Sequence, residues 1–240
     1  MQHGHSVEEI RARLSASDRS NYLKDCVFGG IDGTITTFAI VAGVQGAGLA
    51  PAVILILGVA NILADGFSMA AGNYSATKTE KDDIRRIRAF EEAQIRDFPS
   101  GEREEIRQIL IMKGIEGSAL EEATRSITSD PQTWVDMMIA DEYGKSPVEP
   151  KPMTAALFTF FSFLACGSIP LLPFLLAFPT PFKISILLTA LVFAAIGMAK
   201  SRWSLLPWWA SGFETLAIGS VAAAIAYLAG WLLRSLAAGV

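Results

Sequence analysis

The residues of this chain best placed to do chemistry lie inside its apolar stretches. Asp32 stands in one helix-length apolar segment, and Asn61, Asp65 and Met69 follow at four-residue intervals in the next. Four-residue spacing puts amide, carboxylate and thioether on one helix face. A carboxylate in hydrocarbon costs several kcal/mol and is kept where it lines a pathway or meets a partner. The row therefore reads as a set of cation ligands crossing a membrane, with structural bonding between helices as the plainer alternative for Asp65 and Asn61. Counting from the expected span ends places Asp32 and Met69 at one depth, about 8 to 9 Å into the bilayer. An oxygen and a thioether sulfur together suit a transition metal better than Na⁺ or Ca²⁺. Fe²⁺ fits, with Mn²⁺, Co²⁺, Ni²⁺ and Zn²⁺ as competitors.

The elements that carry these residues follow from hydropathy. The chain has 240 residues, 51% of them hydrophobic, with a mean hydropathy of +0.38, too apolar for an ordinary soluble domain. Five spans are expected, at 26–48, 52–74, 154–178, 183–199 and 213–233. Each approaches the roughly 20 residues a membrane helix needs. Residues 1–25 lack the apolar core of a secretory signal and read as a polar segment. Basic residues accumulate on the cytoplasmic side. Four precede the first span, twelve lie between the second and third and two between the fourth and fifth, against Lys183 and Arg234 on the other side. This predicts an integral membrane protein with the N-terminus cytoplasmic and the C-terminus outside.

The polar stretch 75–150 is patterned as helices, so the expected organisation is 1–25, 26–74, 75–150 and 151–240. Its first piece, to Asp97, continues the second span until Pro99 and Ser100. Gly114 stops the next, Ser118 with Glu121 reads as a capping box for the third, and Asp130–Pro131 as cap and first residue of the fourth. Gly29 and Gly33 permit close helix approach, and Pro170 with Pro173 predicts a break near Ser168. Interleaved charge and a net charge of −4 offer no basic face for nucleic acid. Cys26 and Cys166 give no disulfide framework and read as small buried hydrophobes. His3 and His5 are the only histidines, so a ferritin-like di-iron oxidase, which needs Glu-x-x-His on two helices, is the weaker reading. A passive metal channel stays open beside an exchanger.

DGTITTFAIVAGVQGAGL (32–49) and GVANILADGFSMAAGNYSATKTE (58–80) resemble the signature of the vacuolar iron transporter family. The resemblance extends over the insert and the five-span layout. It implies an all-α membrane protein with five transmembrane helices and a cytoplasmic helical metal-binding insert between the second and third. It also implies a homodimer in the lipid bilayer that exports Fe²⁺ and similar divalent ions in exchange for protons, without a permanently bound cofactor and without being an enzyme. The membrane would be a bacterial inner membrane, or a vacuolar one in a eukaryote. The family's transport residues match Asp32 and Met69, and Asn61 stands where some members carry an acid. In the insert the family's ligands match Glu91, Glu102, Glu105, Met138 and Glu142, with Gln94 and Ile139 replacing a glutamate and a methionine. Glu102 and Glu105 share a helix face, as metal ligands or as acidic residues favouring a first turn. Glu214, at the start of the fifth span, reads either as part of the pathway or as a solvated interfacial group.

Overall fold

The computed structural model describes residues 6–16 and 22–234, and every element in them is helical. His3 and His5 lie outside the described residues. The helices are α1 (Val7–Ala16), α2 (Leu23–Ala47), α3 (Pro51–Asp97), α4 (Pro99–Met112), α5 (Gly117–Thr128), α6 (Pro131–Asp141), α7 (Pro152–Ser168), α8 (Leu172–Leu175), α9 (Pro181–Lys200) and α10 (Trp208–Leu232). Among the described residues five helical stretches are long and apolar enough to cross a membrane: Leu23–Ala47, Pro51–Asp97, Pro152–Leu175, Pro181–Lys200 and Trp208–Leu232. The fifth begins earlier than the hydropathy run at 213, because Pro207 caps it and Trp208 and Trp209 fill its first turn. The expected break in the third is present: α7 ends at Ser168 and a 3₁₀ turn, Ile169–Leu171, leads into α8.

The chain divides into two compact units. The first, Asn21–Tyr74 with Met153–Val240, holds the apolar helices. Here α2 packs closely against α9 and α10. Its glycines also let α7 approach: a Cβ at Gly29 would strike the Thr159 carbonyl, and one at Gly33 would meet the Phe163 backbone. Phe38, Val41, Val44, Ile54, Ile62, Leu171 and Phe174 form the buried cluster between α2, α3 and the α7–α8 corner. By contrast Ile56, Leu57, Val59, Leu63 and Phe67 of α3 point outward. An outward apolar face on a membrane helix is solvated by lipid or covered by another helix.

The second unit, Met1–Ser20 with Ser75–Pro152, has its own core. Ile106, Ile109, Leu110, Leu120, Trp134 and Met138 bring α4, α5 and α6 together, and Ile87 of α3 packs with Val135 and Ile139 of α6. Asp130 caps α6, its carboxylate accepting from the Thr133 amide at 3.1 Å, with Pro131 opening the helix. The capping box expected at Ser118 is absent. α5 starts at Gly117 with Glu116 at the cap position and no side-chain cap bond, so Ser118 already lies inside the helix. Glu121 instead accepts from Arg107 Nε at 3.0 Å.

Candidate functional site

In the membrane unit the polar row occupies the seam between α2 and α3. Two hydrogen bonds fix its register. Asn61 Nδ2 donates to Thr36 Oγ1 at 3.3 Å, and Asn73 Nδ2 donates to Asp25 Oδ1 at 2.8 Å. The helices run antiparallel along this seam, so each step down one is matched by a step up the other. Asp32, four residues before Thr36, therefore faces Asp65, four residues after Asn61. The two carboxylates are close enough to interact electrostatically. Met69 lies a further turn along α3, about 6 Å past the Asp65 level. The expectation that Asp32 and Met69 share one depth is thus corrected by a turn, since span ends locate residues too coarsely to fix register.

Asp32, Asn61, Asp65 and Met69 are all half-buried, each presenting part of its surface away from the protein interior. This geometry gathers two carboxylates, an amide and, one turn on, a thioether along one line. Such donors can bind a cation reversibly. Glu214 does not join them by any observed bond. It is exposed on α10, and its carboxylate pairs with Lys200 Nζ of α9 at 3.0 Å. At this exposure such a pair contributes little.

Asp25 and Asn73 were not among the sequence candidates. Asp25 is only 6% exposed although it stands in the first turn of α2 beside Lys24. Spacing offered one signal for Asn73, which continues the four-residue row one turn past Met69.

The insert has a second acidic centre. Glu91 of α3 and Glu102 of α4 are 2% and 6% exposed, a rare state for glutamate. Glu105 and Glu142 are exposed at its margin. Burial pushes the Glu102 carboxyl up to about 7, aided by repulsion from Glu105, Glu91 and Glu142 and by a hydrogen bond with Glu91. Burial and the charges of Glu91 and Glu105 also raise Glu142. Glu102 Oε2 is buried without a hydrogen-bond partner. A solvated first-turn acid would not be buried this way, so the helix-dipole reading does not account for Glu102. An anion cluster with an unsatisfied oxygen favours a proton or a cation. No three His, Cys, Asp or Glu groups among the described residues stand close enough together to hold a metal ion. Met138 is fully buried, packed in the core with Ile106 and Trp134.

Tyr143 was also missed. Its hydroxyl donates to Glu91 Oε1 at 2.7 Å. Burial first, then the bond to Glu91, raises its phenol well above the ordinary range, so it remains a donor at neutral pH.

Five helices long and apolar enough to cross a membrane, with a row of polar side chains on an interhelical seam, define a polytopic helical membrane protein. The model of the VIT family matches residues 23–231. The chain belongs to that family. It is 31% identical to vacuolar iron transporter 1 of Arabidopsis thaliana over 208 residues, covering 85% of this chain and 83% of the relative. It is 32% identical to vacuolar iron transporter 1 of Tulipa gesneriana over 211 residues, covering 87% and 85%. The vacuolar iron transporter of Toxoplasma gondii (strain ATCC 50861 / VEG) is 35% identical over 159 residues, covering 65% and 53%.

Proposed function

We propose that this protein is a secondary transporter that moves Fe²⁺, and other divalent transition-metal ions such as Mn²⁺, out of the cytosol in exchange for protons. The observation that carries the reading is the facing pair Asp32 and Asp65 on the α2–α3 seam, with Met69 one turn away, in a chain similar to vacuolar iron transporters. Carboxylates bind a metal ion or a proton but not both well, and that competition is the physical basis of exchange.

Residues 75–150 are proposed as a cytoplasmic metal-gathering domain. The basic residues concentrated there and in 1–25 favour that side under the positive-inside rule. The buried Glu91 and Glu102, with Glu105 and Glu142 beside them, would attract the cation, and the orphaned Glu102 Oε2 supports this role. Met138 would ligate only if its buried side chain turned out of the core. The protein is proposed to act as a homodimer. Supporting this, Ala60, Ala64, Ser68 and Gly72 form an exposed small-residue stripe on α3, which suits close helix approach. The membrane is a bacterial inner membrane or a vacuolar one, and no chemical step on the cargo is required.

Proteoliposomes test the reading. Uptake of Fe²⁺, held reduced, should exceed that of Ca²⁺ and be accompanied by proton movement in the opposite direction. Fe²⁺ movement without proton counterflow would leave a passive channel.

A further inference from the structure

Asn73 binds more of the membrane unit together than any residue of the ligand row. Its amide nitrogen donates to Asp25 Oδ1 at 2.8 Å and to Thr159 Oγ1 at 2.7 Å, with the Ala155 carbonyl at 3.4 Å. The Thr159 hydroxyl in turn donates to the Ala155 carbonyl at 3.1 Å, leaving its oxygen to accept from Asn73. Asp25 belongs to α2, and Ala155 and Thr159 belong to α7. One side chain on α3 thus ties three membrane-crossing helices. Asp25 is 6% exposed and Thr159 is fully buried, so both bonds form away from water, where a lost partner is most costly.

This knot lies at one end of the seam. The Asn61–Thr36 bond at 3.3 Å lies at the other, and Asp32, Asp65 and Met69 lie between them. A slip of α3 by one residue would move the row by about 1.5 Å and rotate it by about 100°, taking Asp65 off Asp32. Beside the apolar packing of Phe38, Val41, Ile54 and Ile62, the shorter bonds at Asn73 are the stronger of the two polar ties that hold this register. The chemistry of the position is restrictive. Leucine supplies no donor, and aspartate of the same shape would set a second carboxylate against Asp25.

We propose that Asn73 is a positioning residue for the cation path: by binding Asp25 and Thr159 it sets the register in which Asp32 faces Asp65 and Met69 follows one turn away. It does not touch the cargo. Interhelical hydrogen bonds contribute only modestly to membrane-protein stability, so variants at Asn73 should still insert and fold. The flux arm of the test rests on the transport reading, whereas the cross-linking arm does not.

In proteoliposomes of the full chain, Asn73→Leu and Asn73→Asp should each lower Fe²⁺ flux about tenfold or more through misplacement of the row. Asp25→Asn keeps a side-chain oxygen that accepts from the Asn73 amide and should retain most of the flux, whereas Asp25→Leu offers no acceptor and should lose it as Asn73→Leu does. A role for side-chain volume alone would leave Asn73→Asp, of the same shape, as fast as the parent. Independently, in a Cys26→Ala, Cys166→Ala background, Thr36→Cys with Asn61→Cys should cross-link efficiently under mild oxidation, and Asn73→Leu should reduce that yield severalfold. A folded Asn73→Asp variant with wild-type flux, or a cross-link yield indifferent to Asn73→Leu, overturns the proposal. If the parent protein moves no Fe²⁺ while cross-linking depends on Asn73, the transport reading fails and the positioning role stands.

Discussion

Asp32 faces Asp65, not Met69, across the seam between α2 and α3. The register follows from the Thr36–Asn61 and Asp25–Asn73 bonds, and it makes the proposed site a pair of carboxylates followed by a thioether about 6 Å away along the helix. The oxygen donors thus meet at one level, and the sulfur lies one turn nearer the Asp25 end.

Asp65→Asn should therefore impair Fe²⁺ transport about as strongly as a change at Asp32, by tenfold or more, without loss of thermal stability, because removing an intramembrane charge relieves a cost. Flux and melting temperature of the purified variant check this. Wild-type flux would return Asp65 to a helix-bonding role.

Met69→Ala and Met69→Leu separate sulfur chemistry from volume. If the thioether ligates, both variants raise the apparent KM for Fe²⁺, and leucine is no better than alanine. Leucine performing like methionine would leave packing as the only role for the side chain.

The insert should respond to pH through Glu102. Its carboxyl is raised from the ordinary range to about 7 by burial and by Glu105, Glu91 and Glu142. The folded state then holds the proton more tightly than the unfolded chain. The stabilisation is full below about 4.5 and is lost as pH rises through about 7, a loss of at most about 3 kcal/mol. Protection of the 99–112 amides, corrected for the intrinsic rise of exchange with pH, should accordingly fall between pH 5 and 8 without metal, and Glu102→Gln should flatten the profile. Divalent metal binding to the insert should rise over the same interval, as the competing proton leaves.

Tyr143→Phe removes the donor to Glu91 Oε1 and leaves a buried carboxylate short of a partner. A loss of about 1 to 3 kcal/mol in insert stability is expected, seen as faster exchange around Glu91. Unchanged exchange would mean that water replaces the hydroxyl at no cost.

Much of this architecture is legible in the residues. Hydropathy gives five spans, Pro170 and Pro173 mark the break after Ser168, and Asp130–Pro131 marks the start of α6. These are local signals, each acting within a few residues. The capping box at Ser118 fails on the same scale, because the helix begins two residues earlier, at Gly117 with φ +64° and Glu116 at the cap position. What the sequence hides is long-range. Asp25 sits beside Lys24 at a span edge, where its spacing singles it out for nothing, yet it is buried and bonded to Asn73. Tyr143 matters only through Glu91, which is remote in sequence. The one-turn offset of Met69 depends on side-chain bonds between helices, which no count from the span ends reveals.

The central claim is that cations cross by way of the α2–α3 seam, and Asp32→Ala in proteoliposomes tests it most directly, with Fe²⁺ uptake and internal pH recorded together. The account predicts a folded, inserted protein in which Fe²⁺ uptake and the opposing proton movement are both lost. Fe²⁺ uptake at the wild-type rate, with its proton counterflow intact, would contradict it and place the path elsewhere in the protein.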